Sequence, residues 1–155
     1  MKRINNCLIA TLMICLMIAP VQMQSKKADM ESLYLKALSA SLDAGLNSDK
    51  KISTVEKDTL LLDSFPNEIG GHRVEYLNGK ELVGRYKRER KPIWLTAIKP
   101  IRNEGGKLFI NISNYEFSYE KNRMTYALDG GCKVIFRHDC SNNTFEVEKV
   151  ECGGV

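Results

Sequence analysis

From residue 30 onward, apolar side chains recur at Met30, Leu33, Tyr34, Ala37, Leu38 and Leu42. This three-four spacing gathers them into one stripe of an α-helix, with Ser41 the one small polar residue on it. Asp29 suits the N-cap, and Gly45 and Asn47 suit the stop. The run DTLLLDSFP, residues 58–66, reads as a short strand ended by Pro66. EIGGHRVEYL follows, with Gly70-Gly71 as a turn and Val74 and Tyr76 in alternation. Asn78 and Glu81 have capping-box spacing, and Leu82, Val83 and Tyr86 share a face behind them, so a second, short helix starts at Asn78.

Beyond that helix the pattern changes to a period of two. IWLTAIKPI, KLFINISNYEFSY, MTYAL through CKVIFRHD, and TFEVEKVEC are separated by Asn103-Glu104-Gly105-Gly106, Lys121-Asn122 and Ser141-Asn142-Asn143, which is turn chemistry at each break. With Lys121-Asn122 as a two-residue loop, Tyr119 faces Met124, Phe117 faces Tyr126 and Tyr115 faces Leu128. Six large apolar or aromatic side chains then share a face that reads as core, and a slip of one residue would destroy the match. Ile110 and Ile112, on the alternate face, are also core candidates, so the long strand must bend, and Gly130-Gly131 is a natural bulge.

The last hairpin has two possible registers. A two-residue turn at Asn142-Asn143 pairs Cys140 with Phe145, His138 with Val147, Phe136 with Lys149 and Arg137 with Glu148, and it puts Cys132 and Cys152 on opposite faces, which disfavours a disulfide. A three-residue loop with Asn143 left-handed sets Cys132 opposite Cys152 but pairs Phe136 with Glu148. Side-chain chemistry favours the first.

The expected fold is therefore α+β: an N-terminal helix and a second short helix packed on a curved antiparallel meander of about four to six strands. This layout resembles the cystatin-like and nuclear-transport-factor-like folds. The resemblance is architectural, rests on no motif and implies no site residue.

The first residues alter the picture of where the protein works. Lys2 and Arg3 precede an apolar, uncharged run from Cys7 to Ile18, too short for a membrane span and suited to a signal peptide. Cleavage is expected between Val21 and Ser25, giving a signal over residues 1–21 and a single globular domain over 22–155, periplasmic or secreted and without stable membrane insertion. Ile14 and Asn6, which precede Cys15 and Cys7, do not fit a lipid-anchored precursor. Removing Lys2 and Arg3 lowers the formal charge from +4 to +2, since no acid precedes Asp29, and that balance argues against a nucleic-acid partner. Cys132, Cys140 and Cys152 remain, an odd number with no C-x-x-C pair and no zinc-ribbon spacing.

Candidate chemistry is sparse. No phosphate-loop, dinucleotide, zincin or nucleophile-elbow motif occurs, and no cofactor is implied. His138 and Cys140, two apart on a strand, would share a face as a thiol–imidazole pair, although Asp139 points away and this environment reads as half-buried packing. His72, after two glycines, is a weaker base or ligand candidate and reads more simply as a surface histidine. Arg85, Lys87, Arg88, Arg90 and Lys91 could bind an acidic partner or a phosphate-rich surface such as lipid headgroups, but Glu81 and Glu89 stand at ion-pairing spacing from Arg85, which favours a self-neutralised helix end. The expectation is an exported, non-catalytic module binding a protein or small ligand; the alternative is an enzyme using His138 and Cys140, or His72.

Overall fold

The computed structural model describes residues 30–46, 52–57 and 66–154. The signal-peptide reading and the strand expected over 58–65 lie outside these residues. The chain divides into two compact units, Met1–Ser32 and Leu33–Val155. Only residues 30–32 of the first are described, and they are helical; α1 denotes the described helical residues 30–43.

The described residues form an α+β fold with two helices and a mixed, largely antiparallel sheet of eight strands, more than the four to six expected. In chain order these are β1 (Ser53–Glu56), β2 (Glu68–Ile69), β3 (His72–Leu77), helix α2 (Gly79–Glu89), β4 (Ile93–Ile98), β5 (Arg102–Glu104), β6 (Lys107–Glu120), β7 (Arg123–Asp139) and β8 (Thr144–Gly154). Their spatial order is β2-β3-β1-β4-β6-β7-β8, with β5 also on β6. β1 lies parallel to both β3 and β4, so this side of the sheet is not a meander.

Both helices end as their sequences dictate. At the end of α1, Leu46 N–H donates to Ser41 O and Gly45 N–H to Leu42 O, with Gly45 at φ 96: a Schellman stop that only glycine adopts cheaply. At the start of α2, Asn78 Oδ1 accepts from Glu81 N–H while Glu81 accepts from Asn78 N–H, completing the capping box.

The β6–β7 pairing is the one read from the side chains: Tyr119 with Met124, Phe117 with Tyr126, Tyr115 with Leu128. Asn114 then pairs with Gly130, so Asp129 is an extra residue and β7 changes faces there. Before the bulge, the even-numbered side chains of β7 join Tyr115, Phe117 and Tyr119 on the side of α2. After it, Cys132, Val134 and Phe136 join Ile110 and Ile112 on the side of α1.

Two cores follow, on opposite faces and at opposite ends of β6. In the larger, Tyr34, Ala37, Leu38 and Leu42 of α1 cover Ile98, Ile110, Ile112, Val134 and Phe136. In the smaller, Leu82 of α2 covers Ile93, Leu95 and Phe117. Burial of this kind contributes roughly 1.5–3 kcal/mol per large side chain, so each helix is held by its tertiary stripe rather than by propensity.

The terminal hairpin corrects the favoured register. Asp139 pairs with Thr144, His138 with Phe145, Arg137 with Glu146 and Phe136 with Val147; then Glu148 is passed over, and Ile135 pairs with Lys149. The cause is local. The Asp139 carboxylate accepts from Ser141 N–H and from Asn142 Nδ2, which starts the turn at Asp139 and widens the loop to residues 140–143, with Asn143 left-handed at φ 53. The Glu148 bulge turns Phe145, Val147 and Val150 all toward α1 and brings Cys132 opposite Cys152, where they form the disulfide that the two-residue turn disfavoured. Lys36 of α1 ties the hairpin down, donating to Phe145 O at 2.8 Å and to Glu146 Oε1 at 2.9 Å.

Candidate functional site

His138 and Cys140 are exposed rather than half-buried, which corrects the expected packing role. The wider loop carries Cys140 out of the strand and back toward the ring, leaving Sγ 3.6 Å from His138 Nδ1. His138 Nε2 is 3.2 Å from Asn143 Oδ1, so thiol, imidazole and carboxamide follow one another as in a Cys-His-Asn arrangement. Asp139 takes no part, and its carboxyl is held below the usual range by Ser141 N–H and then by the Asn142 amide. A nucleophile also needs oxyanion donors and an enclosed substrate position. This one stands on the tip of a hairpin, outside each of the three hollows described below.

His72 lies apart from that cluster. Its Nε2 is 3.0 Å from Asp43 Oδ1, a tie between the start of β3 and the end of α1.

The basic segment is dispersed. Arg85 binds Glu89 at 3.1 Å and makes a close ion pair with Glu75 of β3, while Glu81 is taken by the capping box. Arg88 also reaches Glu89, at 3.3 Å. Lys87 sits 5.1 Å from the Tyr119 ring centroid, Arg90 is the left-handed C-cap of α2, and Lys91 is exposed.

The structure instead presents a feature that the linear reading missed. All seven residues Arg123–Asp129 of β7 are exposed, and on the α2 side they carry Met124 (50% exposed), Tyr126 (39%) and Leu128 (53%). These were expected to be core. Of their partners on β6, Phe117 and Tyr119 pack in the α2 cluster and Tyr115 does not, because α2 is only 11 residues long. β8 pairs with β7 only from Gly130 onward, so among the described residues no strand lies on the outer edge of Arg123–Asp129.

Open hollows flank this stripe on the same face. One of about 540 Å³ lies between the end of α2 and the β6–β7 turn, with Lys87, Arg90, Lys121, Tyr86, Tyr119 and Glu120 around it. The other, of about 490 Å³, has Lys99, Arg102, Lys133, Asn111 and Leu128 around it and no carboxylate. Aromatic rings position the lysines: Lys99 Nζ is 5.3 Å from the Tyr115 centroid and Lys133 Nζ is 4.1 Å from that of Phe109. A third hollow, of about 140 Å³, lies by Thr54, Arg85 and Trp94.

Among the described residues no group of three or more His, Cys, Asp or Glu could hold a metal ion, and no helix is long and apolar enough to cross a membrane. No family model, curated protein or solved structure matches the chain.

Proposed function

We propose that this is an exported, non-catalytic binding module whose partner contacts the α2-side face of Arg123–Asp129. The observation that carries the reading is the run of seven exposed strand residues bearing Met124, Tyr126 and Leu128. Apolar side chains concentrated on one such strip, with charged hollows at its rim, have the make-up of an interaction site. Export is supported by the N-terminal Lys2-Arg3 and apolar run, and by the Cys132–Cys152 disulfide, which persists in oxidising compartments. The packing of α1 against β6, β7 and β8 supports a cystatin-like or nuclear-transport-factor-like layout for that half of the domain.

A photo-crosslinking residue placed at Leu128 in the native host tests the reading. Adducts to one macromolecule or ligand are expected there and not at Glu31. Absence of any adduct at Leu128, or equal yield at both positions, overturns it.

The second reading, a thiol enzyme, is favoured by the Sγ–Nδ1 distance of 3.6 Å. Iodoacetamide should alkylate Cys140 at the rate of an unactivated model thiol at neutral pH. A rate roughly tenfold or more above that, lost in His138→Ala, would favour chemistry over binding.

A further inference from the structure

The binding face described above has three properties that together specify its occupant, and the inference drawn from them rests on that functional reading. The first is the backbone. An outer strand edge presents a row of N–H and C=O groups at the spacing of another strand, and seven residues span about 23 Å. The second is side-chain alternation: Met124, Tyr126 and Leu128 face the α2 side, while Thr125 and Ala127, on the other face, are small. An added strand would therefore find apolar contact on one face only. The third is charge. Lys87, Arg90 and Lys121 stand near the Met124 end beside Glu120, and Lys99, Arg102 and Lys133 near the Leu128 end, where Asp129 closes the edge and Glu151 lies opposite Lys133 on β8, so cations outnumber carboxylates at both ends.

We propose that the edge Arg123–Asp129 receives an extended segment of a partner protein by strand addition, and that the segment has alternating apolar residues and carboxylates near both ends. The competing occupant is a second copy of this chain. Antiparallel self-pairing centred on Tyr126 would set Arg123 against Asp129 and Met124 against Leu128, which is locally acceptable. It would also bring the Lys121 end of one copy to the Lys99 and Lys133 end of the other, stacking cation on cation at both limits of the interface. A carboxylate-ended strand turns the same six charges from repulsive to attractive.

The probe is a synthetic peptide of alternating valine and threonine with two glutamates at each end. Its binding to the full mature protein is followed by fluorescence anisotropy at low and moderate salt, and amide hydrogen exchange is followed in Arg123–Asp129. We expect saturable binding weakened by salt, slowed exchange at alternate amides of that stretch, and losses of roughly tenfold or more in each of three cases. These are Leu128→Glu in the protein, N-methylation of alternate peptide amides, and lysines in place of the peptide's glutamates. Circular dichroism confirms that Leu128→Glu, at an exposed position, still folds.

Binding indifferent to N-methylation refutes strand addition, and equal binding of the lysine-ended peptide refutes the charge argument. A dimer of the free protein by sedimentation, abolished by Leu128→Glu, gives the edge to a second copy. Binding to phosphatidylglycerol vesicles without binding to the peptide gives the face to a lipid surface. If the peptide fails while crosslinks at Leu128 persist, strand addition falls and the binding-module reading stands; if both fail, both fall.

Discussion

Gly131→Ala tests whether the β7 bulge is placed as described. Gly131 lies opposite Ser113 of β6, and a Cβ there would meet Ile112 O at 2.2 Å and Ser113 Cα at 3.0 Å. Carbon contacts are at rest near 3.5–4.0 Å, so the overlap exceeds 1 Å. The obstructing atoms are backbone, and no rotamer change relieves them. β6 and β7 would have to part at the point where the strand changes faces, one residue from Cys132. Overpacking costs about 1–3 kcal/mol when side chains can yield, and backbone displacement places this variant at about 3 kcal/mol or above. For a domain of this size that is a fall in Tm of roughly 10 °C. Urea and thermal unfolding, followed by circular dichroism, measure the loss. Gly153→Ala is the matched control: Gly153 pairs with Gly131 from the other side, but its Cβ would meet nothing within 4 Å. It should be neutral or stabilising by about 0.4–1 kcal/mol, since alanine restricts the unfolded chain. A Gly131→Ala protein within about 0.5 kcal/mol of the parent would refute the placement of the bulge.

Three further outcomes are expected. Gly84→Ala, where a Cβ meets nothing within 4 Å on an exposed turn of α2, should stabilise the protein by about 0.5–1 kcal/mol in the same urea assay, and a loss would mean that α2 is packed differently. Burial pushes the Tyr76 phenol up from 10.0 to about 12, so the folded protein keeps a proton that the unfolded chain releases. Stability should be full below pH 10 and decline as pH rises toward 12, by about 1–2 kcal/mol after discounting for partial exposure, and an alkaline slope unchanged in Tyr76→Phe would contradict this. Replacing Cys132 and Cys152 by serine opens a link across 20 residues and should cost about 3 kcal/mol on the chain-entropy account, whereas Cys140→Ser should lie within about 0.5 kcal/mol of the parent; the reverse order would put the disulfide elsewhere.

Legibility followed locality. Both helices and the β6–β7 register are encoded by neighbours: a stripe, a cap, a two-residue turn. β1 is different, because Ser-Thr-Val-Glu has no apolar alternation of its own, and it becomes a strand through parallel pairing with β3 and β4, which no short window contains. The terminal hairpin did hold its signal. Val147 and Val150 are three apart where regular alternation requires two, and that interval marks the Glu148 bulge and with it the disulfide. Giving the turn to Asn142-Asn143 without crediting Asp139 as its opening residue hid the interval. Met124, Tyr126 and Leu128 were read as core because pairing is visible in sequence, while the reach of the helix that must cover the pair is not. The cations were harder still: Lys99, Arg102, Lys121 and Lys133 are dispersed along the chain, and only the folded sheet puts them beside one apolar stripe.

The other edges of the sheet sharpen the meaning of that stripe. β2 has two residues and β5 three, too short to template a partner strand. β8 is long, but Glu146, Glu148, Lys149 and Glu151 place exposed charge along it: Lys149 pairs with Glu151 at 2.7 Å, and Lys107 reaches Glu148 at 3.6 Å. Each of these is a recognised way of blunting an edge against association. Arg123–Asp129 carries charge at its two ends only and none from Met124 to Leu128, although one charged residue in place of Leu128 would have blunted it, and half-exposed leucine and methionine gain little stability where they stand. Packing accounts for Tyr126, whose ring meets that of Phe117 edge-on at 5.3 Å, but not for the exposed Met124 and Leu128, whereas a partner strand would, by burying them between hollows whose charges discourage a second copy and attract carboxylates.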